Sequence, residues 1–196
     1  MRPGHGTGII PLLLYARENT ISADAVEIQP DMADMAARSM AMNGLNEKIR
    51  VLPGDLRSIR TLLPHARYDL VTCNPPYGKA GGTLLNPDAS KRLARHEESC
   101  AIENVACAAA WLLQNGGRLC CVFPAARMIE LSDAMRKYRM APKRIRMVHS
   151  RVEKAAHLCL MEGMLDARPG LIIEPPLVIY DENNAYTPEL RRIYGL

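Results

Sequence analysis

Two consecutive prolines, Pro75 and Pro76, close off an apolar run at Tyr68-Asp69-Leu70-Val71-Thr72-Cys73. Neither has an N–H to give to a sheet ladder, so a buried strand here must stop at Asn74. Beyond the strand lies a stiff turn presenting one amide, Asn74, and one aromatic ring, Tyr77. The plain reading is a strand-end turn with a packed tyrosine. The sharper one is a pocket for a planar, amino-bearing substrate. The neighbouring strand ends decide between them.

Upstream, Gly4-His5-Gly6-Thr7-Gly8 runs straight into Ile9 to Ala16, a glycine-rich loop feeding a helix that tolerates Pro11 near its start. Such glycines let the backbone approach a ligand closely, and a helix start favours hydrogen-bond acceptors. Ser22 to Ile28 reads as a strand, and Glu27 stands near its end, about twenty positions after the glycines. That spacing suits a βαβ unit in which a carboxylate grips two ribose hydroxyls. Pro30 to Asn43 has helical periodicity, with Met32, Met35, Ala36, Ala37 and Met40 on one broad face and Asn43-Gly44 as its stop. Lys48 to Leu52 is a further short strand, with Gly54-Asp55 at its end and a short helix around Ile59-Leu62-Leu63. Glu27, Asp55 and Asn74 to Tyr77 therefore fall at successive strand ends.

With 196 residues and 48% hydrophobic content, the chain suits one domain with a real core, spanning 1–196. The net charge of +4 permits nucleic-acid binding without demanding it. Six cysteines, mostly inside apolar runs and without C-x-x-C spacing, read as small core residues of a reduced protein. No apolar run approaches a membrane span, and Met1-Arg2-Pro3-Gly4 lacks the apolar stretch of a signal peptide. The expectation is a cytoplasmic monomer with no membrane partner.

Past Tyr77, residues 78–90 form the longest polar, glycine-rich stretch, carrying Lys79, and Arg92, Arg95 and His96 lead into a helix expected over Leu93 to Gln114. Asn115-Gly116-Gly117 reads as its stop, before a fully apolar strand at Leu119 to Phe123. Met128 to Tyr138 is amphipathic, and a strand is expected after it at Ile145 to His149. Arg136, Lys137, Arg139, Lys143, Arg144 and Arg146 make the densest positive patch, suited to phosphates. His157 to Met164 and Leu177 to Tyr180 are expected to pair antiparallel. Strands alternating with helices imply an open, mostly parallel, doubly wound sheet with ligands across the C-terminal strand ends.

Glu27 and Asp55 suit a nucleoside: one carboxylate for the ribose, the other near an adenine amino group. No Walker lysine follows the glycines, and no metal-ligand set is visible in the sequence. A nucleoside cofactor held without phosphate machinery points to S-adenosylmethionine. An exocyclic amino group, of adenine or of a glutamine amide, is a poor nucleophile because its lone pair is delocalised. The Asn74 side-chain oxygen and the Pro75 carbonyl can accept its two N–H bonds and turn the lone pair towards a sulfonium methyl. Tyr77 offers a stacking face, which favours a base splayed out of a loop or single strand.

Several stretches together resemble the tRNA1(Val) adenine-37 N6-methyltransferase family. They are Gly6 to Leu12, Val26 to Gln29, Gly54-Asp55, Asn74 to Tyr77, Asn86-Pro87, Ala94-Arg95-His96-Glu97, Pro142 to Arg146, Glu174 to Tyr180 and Tyr186 to Glu189. Asn-Pro-Pro-Tyr alone also fits glutamine-N5 and DNA-adenine methyltransferases; the Ala-Arg-His-Glu and C-terminal stretches narrow the match. The resemblance implies a Rossmann-like class I methyltransferase fold with antiparallel C-terminal strands. It implies S-adenosylmethionine bound by Gly4, Gly6, Gly8, Glu27, Asp55, Leu56 and Asn74. Asn74, Pro75, Pro76 and Tyr77 would be the catalytic residues, and Lys79, Arg92, Arg95, His96, Lys143, Arg144 and Arg146 would contact tRNA. Alternative substrates are rRNA adenine and protein glutamine; a further alternative is an inactive remnant that binds RNA through Arg139 to Arg146.

The resemblance also implies an apolar strand ending in Asp ahead of the glycine loop. Met1-Arg2-Pro3 stands at its last positions, with Arg2 at the Asp and His5 where a small residue is usual. Glu153 to His157 departs from the family as well. The expected sheet therefore lacks its first, central strand and leaves two ladder edges open.

Overall fold

The computed structural model describes residues 8–75 and 102–196. The chain divides into two units, one ending at Pro64 and the other beginning at His65. In the first, Gly8 caps helix α1 (Ile9–Arg17) with φ 77°, a left-handed conformation that L side chains disfavour. A Cβ there would also sit 2.5 Å from the Met40 methyl, so only glycine fits without a shift. Strand β1 (Ala23–Glu27), helix α2 (Pro30–Met42) and strand β2 (Ile49–Pro53) form a βαβ unit. A single turn of 3-10 helix (Leu56–Ser58) and α3 (Ile59–Leu62) complete this unit. The two strands pair in parallel, from Ala23 opposite Ile49 to Glu27 opposite Pro53.

Helix α2 starts with proline in its first turn, where the missing N–H costs nothing, and ends before Gly44 at φ 68°. Its buried stripe is Ala33, Ala36 and Met40. The methionine face expected from the sequence is therefore narrower: Met35 and Ala37 are exposed, and Met32 is half-buried. Residues 33, 36 and 40 follow one helical stripe, and two small side chains on it leave room for a close neighbour.

The second unit comprises β3 (Tyr68–Cys73), helix α4 (102–112), β4 (Leu113–Pro124), α5 (Met128–Lys137), β5 (Met140–His149), β6 (Ala156–Leu165), β7 (Ile172–Val178) and α6 (Pro188–Tyr194). Its five strands lie in the order β3-β4-β6-β5-β7. β3 and β4 are parallel, β6 runs antiparallel to both its neighbours, and β7 is parallel to β5. The sheet expectation is thus met by two separate sheets, of two and five strands among the described residues.

Two expectations are corrected. β6 and β7 do not pair with each other; β7 takes the outer edge of β5, in parallel. The helix does not reach Gln114, and Asn115-Gly116-Gly117 lies within the span of β4. There the ladder jumps from Tyr68 opposite Leu113 to Leu70 opposite Arg118, so several residues of β4 bulge out. Gly116 takes φ 77° in that bulge, and a Cβ on Gly117 would meet the Tyr68 carbonyl oxygen at 3.0 Å. The glycines serve a strand irregularity, not a helix cap.

Alternation divides the five-stranded sheet cleanly. Leu119, Cys121, Phe123, Ile145, Cys159 and Met161 are buried on one face, and Met135 of α5 presses its sulfur onto Gly163 of that face. Leu119 to Phe123 is accordingly not equally buried on both sides, since Cys120 and Val122 are only half-buried. The other face carries a ladder of alternating charge across four strands: Arg118, Glu162, Arg144 and Glu174. Beyond it, Leu190 of α6 covers Val148 and Leu177.

Candidate active site

The strand ends place the candidate residues as the sequence suggests. Glu27 is the last residue of β1, Asp55 stands two residues after β2, and Asn74 comes directly after β3. Glu27 and Asp55 are near each other along one edge, because the Glu27 carbonyl accepts the Gly54 N–H at 2.9 Å. One oxygen of the half-buried Glu27 carboxylate, Oε1, accepts the Gln29 N–H at 2.9 Å. That bond fixes the carboxylate at the strand end, and it occupies one of the two oxygens.

Asp55 is engaged differently. Its Oδ1 accepts the backbone N–H of Arg57 at 2.8 Å, capping the 3-10 turn that Leu56 opens. Its Oδ2 accepts from Arg57 Nε at 2.8 Å and from Nη2 at 2.5 Å. These hydrogen bonds from the Arg57 side chain and backbone hold the Asp55 carboxyl below the usual carboxylate range. Sequence reading missed this partner, although Asp-x-Arg just after a strand was visible.

In the second unit Asn74 is exposed and Pro75 is buried. The strand end thus sets a buried proline directly after an exposed asparagine. Cys73, just before it, has its thiol pushed up to about 12 by burial, and Cys121 opposite it on β4 is also pushed well up. Protonated thiols of this kind are core packing rather than nucleophiles. Pro76, Tyr77, Gly4, Gly6, Lys79, Arg92, Arg95 and His96 lie outside the described residues.

The positive patch is largely matched by acids. Arg144 Nε donates to Glu174 at 2.7 Å, and Arg146 donates to Glu189 at 2.6 Å and to the Pro175 carbonyl at 2.9 Å. Arg139 reaches Asp166 at 2.8 Å, Lys137 reaches Glu103 at 2.9 Å, and Lys143 donates to the Arg168 carbonyl at 3.3 Å. These pairs join residues 25 to 43 positions apart, so no linear spacing could announce them. Among the described residues no group of His, Cys, Asp and Glu could hold a metal ion, and no helix is long and apolar enough to cross a membrane.

With the strand ends located, kinship can be stated. The sequence is 30% identical over 197 residues to the tRNA1(Val) (adenine(37)-N6)-methyltransferase of Porphyromonas gingivalis, covering 97% of this chain and 75% of that protein. It is 34% identical over 194 residues to the protein of the same name from Tolumonas auensis, covering 95% and 76%. The chain belongs to the tRNA1(Val) (adenine(37)-N6)-methyltransferase family. No protein-family model matches the sequence. The fold is that of Rossmann-like methyltransferases: a predicted O-methyltransferase from Agrobacterium tumefaciens superposes with a TM-score of 0.78 at 21% identity, covering 98% of this chain and 86% of that one.

Proposed function

We propose that this chain transfers a methyl group from S-adenosylmethionine to the N6 amino group of an adenine in RNA, namely adenine 37 of a valine tRNA. The observation that carries the reading is Asn74: an accessible amide, seated on a buried proline at a strand end, in a chain of this family. Residues 1–196 are read as one methyltransferase domain working as a cytoplasmic monomer.

The residues fit the cofactor unevenly. Gly8 leaves no room for a Cβ and gives a close, bare backbone at the start of α1. Glu27 is pinned through one oxygen, and a carboxylate so fixed can accept ribose hydroxyls through its other lone pairs. Asp55 with Leu56 is placed for the adenine end, where Asp55 must share its carboxylate with Arg57. Gly4 and Gly6 are proposed to extend the cradle at Gly8. The cofactor, when bound, supplies a methyl on a positively charged sulfur.

The chain's own contribution is positioning. Asn74 Oδ1 and the Pro75 carbonyl accept the two N6–H bonds, which localises the nitrogen lone pair and aims it at the methyl. Tyr77 stacks on the base, which must first leave its neighbours in a loop. Lys79, Arg92, Arg95 and His96 are proposed as phosphate contacts. Lys143, Arg144 and Arg146 can serve only by exchanging or sharing their present partners.

The test is Asn74→Ala, assayed by methyl transfer to unmodified tRNA, with rRNA and a protein glutamine substrate as the other arms. Transfer to tRNA falls at least about 100-fold, while calorimetry finds cofactor affinity nearly intact. Normal turnover by the variant would overturn the mechanism. Transfer by the unaltered chain to rRNA or glutamine alone would overturn the substrate.

A further inference from the structure

Three of the chain's seven tyrosines meet in one exposed place. Tyr180 and Tyr186 stack with ring centroids 5.6 Å apart and an interplanar angle of 22°, and Tyr194 joins Tyr186 at 5.8 Å. Their exposures are 37%, 39% and 62%. In a chain so poor in aromatics, a stack left this open to water calls for an occupant. The site-bearing strands explain its placement. β3, β4, β5 and β7 all run the same way, so their C-terminal ends share one edge of the sheet. Asn74 leaves β3 at that edge, and Tyr180 leaves β7 at the same edge, four strands away. Four strand spacings amount to about 19 Å across the sheet. By register Cys73 is level with Ile173, so Tyr180 also stands several residues further along than Asn74. The separation therefore exceeds that spacing, too far for one base and suited to a single-stranded loop.

The rings are not needed to hold their own turn. The Asp181 carboxylate accepts the N–H groups of Asn183 and Ala185, both at 2.9 Å. The Thr187 hydroxyl donates to the Val178 carbonyl at 2.7 Å, and the Thr187 N–H to the Ile179 carbonyl at 3.0 Å. Arg151 donates to the Asp181 carbonyl at 3.1 Å and to the Asn184 side chain. A turn stiffened in this way presents its tyrosines as a preset platform. Exposed Arg191 and Arg192, in the last turn of α6, set positive charge beside Tyr194. Rings with flanking guanidinium groups are what unpaired bases and their phosphates require; an apolar peptide would want aliphatic side chains instead.

We propose that the Tyr180–Tyr186–Tyr194 stack is a second RNA subsite, which holds unpaired bases of the substrate loop while the target adenine lies at Asn74. The proposal rests on the reading of RNA as substrate and deepens it. The test uses the full chain with Tyr186→Ala, Tyr194→Ala and Tyr194→Trp. Equilibrium affinity is measured for an unmodified tRNA anticodon stem-loop and for a duplex of the same stem, with thermal melting alongside. Each alanine variant is expected to lose roughly tenfold in stem-loop affinity. Duplex affinity and melting stay unchanged, and Tyr194→Trp restores binding. Unchanged stem-loop affinity in both alanine variants would overturn the stack, even where the unaltered chain methylates tRNA normally. Equal losses for stem-loop and duplex would also overturn it, since stacking needs unpaired bases. Stem-loop binding that depends on the tyrosines, in a chain that transfers no methyl group to RNA, would uphold the stack and sink the methyl-transfer reading instead.

Discussion

The two carboxylates, Glu27 and Asp55, and the Asn74 amide proposed as catalytic stand at similar strand ends on very different foundations. Asn74 ends a strand of a five-stranded sheet whose neighbours include Leu119, Cys159, Leu131 and Met135, all essentially inaccessible to water. Glu27 and Asp55 end the two strands of a small parallel pair, in which every residue of β1 is only half-buried and α1 buries none of its side chains. Two strands are a marginal sheet, and this pair relies on α2 and its Ala33-Ala36-Met40 stripe. On the proposed roles this is a division of labour: an amide that holds an amino group in line needs a rigid seat, whereas carboxylates that accept from a nucleoside tolerate a shallower one.

The comparison breaks most sharply in the cores. Leu131→Ala should cost about 2–5 kcal/mol, read as a lowered urea midpoint for the second unit. Native-state hydrogen exchange should find β4 and β6 amides opening only near the global limit and β1 and β2 amides opening at lower free energy. Equal protection of both sheets would remove the contrast. Gly8→Ala is the matching probe in the first unit: a left-handed alanine costs about 1–2 kcal/mol, and its Cβ also displaces Met40. Its destabilisation should be confined to β1–β2 protection.

High pH tests the seat of Asn74 from another side. Thiols of the unfolded chain titrate near 9.0, whereas Cys73 is held up to about 12 and Cys120 up to about 11 in the fold. Burial is the first cause in both cases; for Cys120 the Glu162 carboxylate adds to it. Above pH 9 the unfolded state therefore binds fewer protons, and stability falls as pH rises. The slope is about 1.4 kcal/mol per pH unit for each thiol still protonated in the fold, and Cys120 stops contributing beyond about 11. Urea midpoints at pH 8 and pH 10 should show the loss, and Cys73→Ala should remove part of the slope at some cost in packing. A flat profile in the unaltered chain would mean that water reaches β3.

Much of this was legible in the sequence because short-range rules carried it. Gly44 stopping α2 and Pro75 stopping β3 follow from each residue's own backbone preference, and Glu27 near the end of β1 follows from the short apolar run it closes. What escaped was set by register. Asn115-Gly116-Gly117 has the composition of a helix stop, yet a bulge opposite Tyr68 is where the glycines are needed. The partner of β7 was misassigned because alternation shows which face is buried and not which strand lies alongside. The charge ladder of Arg118, Glu162, Arg144 and Glu174 escaped for the same reason, and with it the fact that much of the basic patch is already paired.

The smallest effect sharpens the comparison at Asp55. Its carboxyl is held low in the fold by Arg57, so its contribution is present above the unfolded value near 3.8 and is lost as pH falls through the folded value. The pair is open to solvent, so the contribution should be small. Arg57→Ala should thus change the urea midpoint little at pH 7 and flatten the acid side of the stability profile below about pH 4. On the proposed cofactor site, it also leaves the Asp55 carboxylate to accept from the adenine amino group alone. Calorimetry should therefore find cofactor affinity retained or raised in Arg57→Ala and reduced in Asp55→Asn. Affinity lost in both to the same degree would mean that the guanidinium's role is to orient the carboxylate, and the first unit would then be no less preset than the second.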